Sequence, residues 1–121
     1  MLLRDCPENQ KPTYKSSEDV FTFPNGSQIH FSGTDNEHAE NLRGTVSNLN
    51  LVDEAGSMDN LSYIVKSILT PQTLTVQGTT ILASTPPVTP DHDYYYIYRE
   101  CLEEGCVSEF TIYDNLSLIH I

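Results

Sequence analysis

The sequence predicts an α/β fold with a largely parallel sheet, preceded by a β-hairpin. Three observations carry this. After the first third of the chain, short apolar runs with strand character alternate with stretches of helical periodicity. The first of these runs stops abruptly on two acids, Asp53-Glu54. A second run begins about thirty residues later, a separation that fits one helical crossover between parallel strands.

The elements follow in order. Residues 1–19 are polar, with Pro7 and Pro12, and read as an irregular N-terminal segment. Val20–Phe23 and Ser27–Phe31 are β-prone runs around Pro24-Asn25-Gly26, and Asn-Gly between apolar runs is a strong hairpin signal. Residues 35–42 have helical composition and end at Arg43-Gly44. Leu49–Val52 is a strand. Residues 58–69 carry Met58, Leu61, Ile64, Val65 and Ile68 at helical spacing and form a helix. Thr79–Ala83 is the second strand, running into Ser84-Thr85-Pro86-Pro87. Residues 91–104 form a helix with Asp91 and Asp93 in its first turn, where carboxylates suit the helix dipole, and Gly105 closes it. Phe110–Tyr113 is a last strand candidate.

Composition narrows the function. Of 121 residues, six are Lys or Arg, and the formal net charge is -11. A free-standing nucleic-acid binder shows a basic patch, so any DNA-contacting surface must lie elsewhere. No signal-peptide core and no membrane-length apolar run occurs, and the three cysteines, Cys6, Cys101 and Cys106, read as free thiols in a cytoplasmic protein. His92 beside Asp93 and the run Tyr94-Tyr95-Tyr96 with Tyr98 read as helix surface and helix packing, since no basic residues interleave the aromatics.

The chemistry concentrates around Asp53-Glu54. In open parallel sheets ligands bind at the carboxyl ends of the strands. Adjacent acids on an extended strand point to opposite faces, which does not suit the facing carboxylates of a glycosidase. It suits an ATPase, in which the first acid holds Mg²⁺ through water and the second polarises the attacking water. Taken alone, the motif is equally a surface strand end. Ser84 and Thr85 follow the second strand, and a parallel arrangement puts their hydroxyls at the same edge. Arg43 precedes the acids, and an arginine directed at a transferring phosphoryl group accelerates the reaction by about 10³–10⁵. The bland alternative for Arg43, one of only three arginines, is a helix-end residue beside a C-cap glycine.

The order of Asn25-Gly26-Ser27-Gln28-Ile29, Phe31-Ser32-Gly33, Leu42-Arg43-Gly44, Leu51-Val52-Asp53-Glu54-Ala55 and Ser84-Thr85-Pro86 resembles the ATPase domain of large terminase subunits of tailed phages and prophages. The resemblance implies a partial P-loop NTPase of RecA-like (ASCE) type over residues 20–115. In it Asp53 is the Mg²⁺-coordinating acid ending the Walker B strand and Glu54 the catalytic glutamate. Ser84 and Thr85 match the coupling motif at the nucleotide, and Arg43 an arginine finger. It implies ATP and Mg²⁺ as cofactors, and a motor that packages double-stranded DNA into procapsids. The implied partners are a portal, a small terminase subunit and copies of itself in a ring, in the host cytoplasm without a membrane. The intact family is also a nuclease.

The sequence departs from the family in having no Gly-x-x-x-x-Gly-Lys-Ser/Thr segment, so the Walker A half is missing and the chain alone is expected to be inactive. Residues 116–121, Leu-Ser-Leu-Ile-His-Ile, read as a non-native tail matching the translated transposon end used in sequencing libraries. Two other readings compete: a fragment of a helicase-like P-loop ATPase, and a small acidic binding or structural domain without an active site. Clustering of Asp53, Glu54, Ser84 and Thr85 at one sheet edge is the structural requirement of either ATPase.

Overall fold

The computed structural model describes residues 3–114, so the predicted tail at 116–121 lies outside the described residues. The chain divides into two units, one up to Arg43 and one from Gly44 onward.

The first unit is a three-stranded antiparallel sheet followed by a short helix. Strand β1 (Thr13–Lys15) pairs with β2 (Val20–Thr22), and β2 with β3 (Gln28–His30). The predicted hairpin is β2–β3: Gly26 adopts φ 85°, Gly26 N donates to Phe23 O, and Asn25 Oδ1 accepts from Ser27 N. Strand β1 is a correction, because residues 1–19 read as irregular. Tyr14 stands opposite Phe21 with ring centroids 4.6 Å apart, and its hydroxyl donates to Asp19 across the connecting turn. Such a cross-strand aromatic pair adds about 0.2–1 kcal/mol to the ladder, which local polarity does not reveal. Helix α1 (Asn36–Asn41) is capped by Asp35, whose Oδ1 accepts from His38 N at 3.1 Å. Among the described residues of this unit, Val20 and Ala39 are the buried apolar ones.

The second unit contains the predicted parallel pair. Strand β4 (Leu49–Val52) lies beside β5 (Thr79–Leu82) in the register Leu49↔Thr79 to Val52↔Leu82. Gly78 allows this approach, since a Cβ there would stand 2.6 Å from Ser47 O. The crossover is one continuous helical segment. It comprises α2 (Leu61–Ile64), a π-helical turn over Val65–Leu69 and α3 (Thr70–Leu74). It starts later and runs further than the predicted helix over 58–69. Pro71 has no N–H and its ring crowds the carbonyl a turn earlier. The widened π turn absorbs that defect, with Thr70 N and Thr70 Oγ1 both donating to Val65 O.

Leu61, Ile64, Ile68 and Leu69 from the crossover, with Ala55, Met58 and Ile97, form the core. Leu61 and Ile68 are fully buried, each worth about 1.5–3 kcal/mol of transfer free energy. Helix α4 (Asp93–Glu104) packs on α2. Asp93 Oδ2 accepts from Ser62 N at 3.0 Å, so a carboxylate of one helix caps the start of another. Lys66 pairs with Glu100 at 3.1 Å. Helix α4 begins at Asp93, not at residue 91: His92 is its N-cap, its Nδ1 accepting from Tyr94 N at 3.0 Å.

The tyrosines behave as packing residues. Tyr94 stacks on Tyr98, Tyr95 Oη donates to Pro87 O at 2.6 Å, and Tyr98 Oη donates to Glu109. The strand expected at Phe110–Tyr113 is absent. Residues Ile112–Asp114 form a 3₁₀ turn in which Asp114 Oδ2 accepts from Thr111 N and Oγ1, and that local bond competes with any ladder. No helix among the described residues is long and apolar enough to cross a membrane.

Candidate functional site at the carboxyl edge of the parallel pair

Strands β4 and β5 run in the same direction and end together, and this brings the predicted acids and hydroxyls to one edge. Val52 O accepts from Ala83 N at 2.8 Å, and Ala83 O accepts from Ala55 N at 3.2 Å, so the ladder continues one step past the regular strands. Asp53-Glu54 leaves one strand where Ser84-Thr85 leaves the other.

The turn after β4 differs from the expected geometry. The acids do not sit on an extended strand pointing to opposite faces. Glu54 is left-handed, with φ 55° and ψ 37°, and Asp53 Oδ1 accepts from Glu54 N at 3.0 Å. The left-handed region costs an L-residue with a Cβ about 1–2 kcal/mol, and only glycine enters it freely. Asp19 and Gln77 also have positive φ. Asp53 and Glu54 are both exposed, whereas Ala55 directly behind them is fully buried, so the acid turn is anchored to the core by its next residue.

The contact between the two exits is a backbone-to-hydroxyl bond. Gly56 N donates to Ser84 Oγ at 2.8 Å, and Ser84 Oγ donates to Thr85 O at 2.8 Å. A Cβ on residue 56 would stand 2.8 Å from both Ser84 Oγ and Thr85 O. Gly56 is therefore required for the close approach, and the sequence reading did not single it out. Its signal was present: a glycine two residues beyond an acid pair, with a serine at the end of the neighbouring strand. The serine hydroxyl is committed to this link, while Thr85 is exposed at the same edge.

Arg43 lies in the first unit, at the end of α1, with its Nε 2.6 Å from Glu40 Oε2. The other four predicted site residues belong to the second unit. His92 is occupied as a helix cap and Asp93 as the cap of α2. Among the described residues no group of three or more His, Cys, Asp or Glu side chains is placed to hold a metal ion. A shallow recess of about 320 Å³ is lined by Pro90, Tyr95, Tyr98 and Arg99, none of which belongs to the acid edge.

The arrangement offers two exposed carboxylates and two hydroxyl-bearing residues at the end of a parallel β-pair, linked to each other through Gly56. No curated protein and no solved structure matches the chain. The sequence profile of the family described as terminase large subunit, T4likevirus-type, N-terminal matches residues 6–118. With nearly its whole length matched, the chain belongs to that family of phage large terminase subunits.

Proposed function

We propose that this chain is part of the ATP-hydrolysing motor subunit that drives double-stranded DNA into a phage procapsid, and that β4 is its Walker B strand in a P-loop NTPase sheet. The observation that carries the proposal is the acid turn. Glu54 occupies a backbone region unfavourable for its type, at the carboxyl end of a parallel strand, and Gly56, two residues on, is bonded to Ser84 just past the adjacent strand. Strained residues at sheet edges are a common mark of functional sites. The family match supports the terminase reading and neither the helicase-like nor the non-catalytic alternative.

In this reading Asp53 holds Mg²⁺ through water. The site residues fit such an ion: they offer hard oxygen donors, and Mg²⁺ is bound through one or two carboxylates plus phosphate oxygens and waters, not by a protein cage. When bound, the ion would neutralise charge on the nucleotide phosphates. Glu54 accepts a proton from the attacking water. Thr85 faces the nucleotide, and Ser84 passes a change at the phosphate to the acid turn through its bond with Gly56. Arg43 serves as the arginine finger; its exposed pairing with Glu40 is of the kind worth about 0–1 kcal/mol and is readily given up. The net charge of -11 assigns DNA contact to surfaces other than this one. Portal, small subunit and neighbouring copies in a ring are the partners this function implies.

The test is Glu54→Gln in the intact large subunit. Nucleotide binding should stay within about twofold of wild type while turnover falls by about 10²–10⁴, the range of a lost general base. Turnover at the wild-type rate removes Glu54 from the mechanism.

A further inference from the structure

The C-terminus of α4 ends in a motif with an unusual pair of residues. Gly105 has φ 72°, and its N–H donates to Leu102 O. Cys106 N donates to Cys101 O at 2.9 Å. Together these are the two bonds of a Schellman cap, in which the side chains of the third residue from the helix end and the second residue beyond it come into contact. That pair is ordinarily apolar. Here both members are cysteine.

The Cys106 side chain folds back onto Cys101. Cys106 Sγ lies 3.3 Å from Cys101 O, the same carbonyl that its own N–H reaches. Cys101 is half-buried and Cys106 exposed. Burial, then the hydrogen bond that the Cys101 thiol makes to the Cys106 side chain, push the Cys101 thiol above its ordinary value. The third cysteine, Cys6, belongs to the other unit.

We infer that Cys101 and Cys106 form a redox modification site, an intramolecular disulfide closing across the cap of α4 when the protein meets a peroxide. The exposed Cys106 acts first: its thiol loses a proton, the thiolate attacks a peroxide oxygen, the O–O bond breaks, and Cys106 becomes a sulfenic acid while the leaving hydroxide takes up the proton as one water. Cys101 sulfur then attacks the Cys106 sulfur, loses its proton and displaces the oxygen as a second water. Two thiols and one hydrogen peroxide become one disulfide and two waters. Because burial and the nearby Glu104 and Glu100 carboxylates disfavour the Cys101 thiolate, its attack on the sulfenic acid is slow compared with that in a dedicated peroxide sensor. The product ties the last turn of α4 to the residue beyond it.

The experiment treats the reduced full chain with excess hydrogen peroxide, blocks remaining thiols by alkylation, and maps peptides by mass spectrometry. The expected product is a monomer that has lost two hydrogens, with Cys101 and Cys106 joined and Cys6 alkylated. Amide exchange in the last turn of α4 should slow by about tenfold on closure. Cys106→Ser should abolish both effects. Gly105→Ala, which penalises the left-handed cap, should slow closure while circular dichroism shows the chain still folded. Alkylation of both cysteines after peroxide, sulfinic acid at Cys106 without a crosslink, crosslinks that include Cys6, or closure as fast in Gly105→Ala would each overturn the inference.

Discussion

Replacing Gly56 by alanine places a methyl group 2.8 Å from Ser84 Oγ and 2.8 Å from Thr85 O, with Pro87 Cδ at 3.2 Å. One of these neighbours is a backbone carbonyl, so the strain cannot be relieved by turning a side chain alone. The change forfeits the Gly56 N to Ser84 Oγ bond, about 0.5–1.5 kcal/mol. Overpacking at a tight contact adds about 1–3 kcal/mol. Alanine returns about 0.4–1 kcal/mol by restricting the unfolded chain, because residue 56 does not need a positive φ. The net expectation is a loss of about 2 kcal/mol, read from the midpoint of urea unfolding of the full chain. Ser84→Ala removes one of the two crowding atoms and leaves the Gly56 N–H without its partner, at a cost of about 1–2 kcal/mol. The double variant should therefore lose about 1 kcal/mol less than the two single losses added together. In the intact subunit Gly56→Ala should impair turnover more than nucleotide binding. An unchanged unfolding midpoint for Gly56→Ala, or strictly additive losses in the cycle, would refute the linkage between the two strand exits.

Glu54→Gly should stabilise the isolated chain by about 1 kcal/mol by removing left-handed strain, while abolishing turnover in the intact subunit, and a destabilised Glu54→Gly chain would show that no strain is held there. The Asp35 carboxyl is held below its ordinary value, first by the His38 backbone N–H and then by the His38 ring. A carboxyl lowered in the folded state stabilises above its unfolded value and loses that effect as pH falls through the folded one. The His38 amide should thus lose exchange protection on acidification below the ordinary carboxylate range, as nuclear magnetic resonance titration can follow.

How much was legible depended on how local the cause was. The β2–β3 hairpin needed only Asn25-Gly26 between apolar runs, and the crossover helix only the spacing of Leu61, Ile64 and Ile68. The parallel relation of β4 and β5 followed from their separation along the chain. Where two distant segments compete or cooperate, local signals failed. Strand β1 exists because Tyr14 meets Phe21, the crossover passes Pro71 by widening to a π turn, and Asp93 caps a helix other than its own.

Sequence alone was sufficient to bring out the acid pair, the hydroxyl pair and the order of motifs that resembles the terminase family, because residue chemistry and chain spacing are written directly in it. The left-handed turn at Glu54, the Gly56 link to Ser84, and the meeting of Cys101 with Cys106 over one carbonyl were decided by tertiary structure. Each depends on a distance of about 3 Å between groups whose positions are fixed by strand pairing or helix termination, and such distances exist only after the backbone has folded.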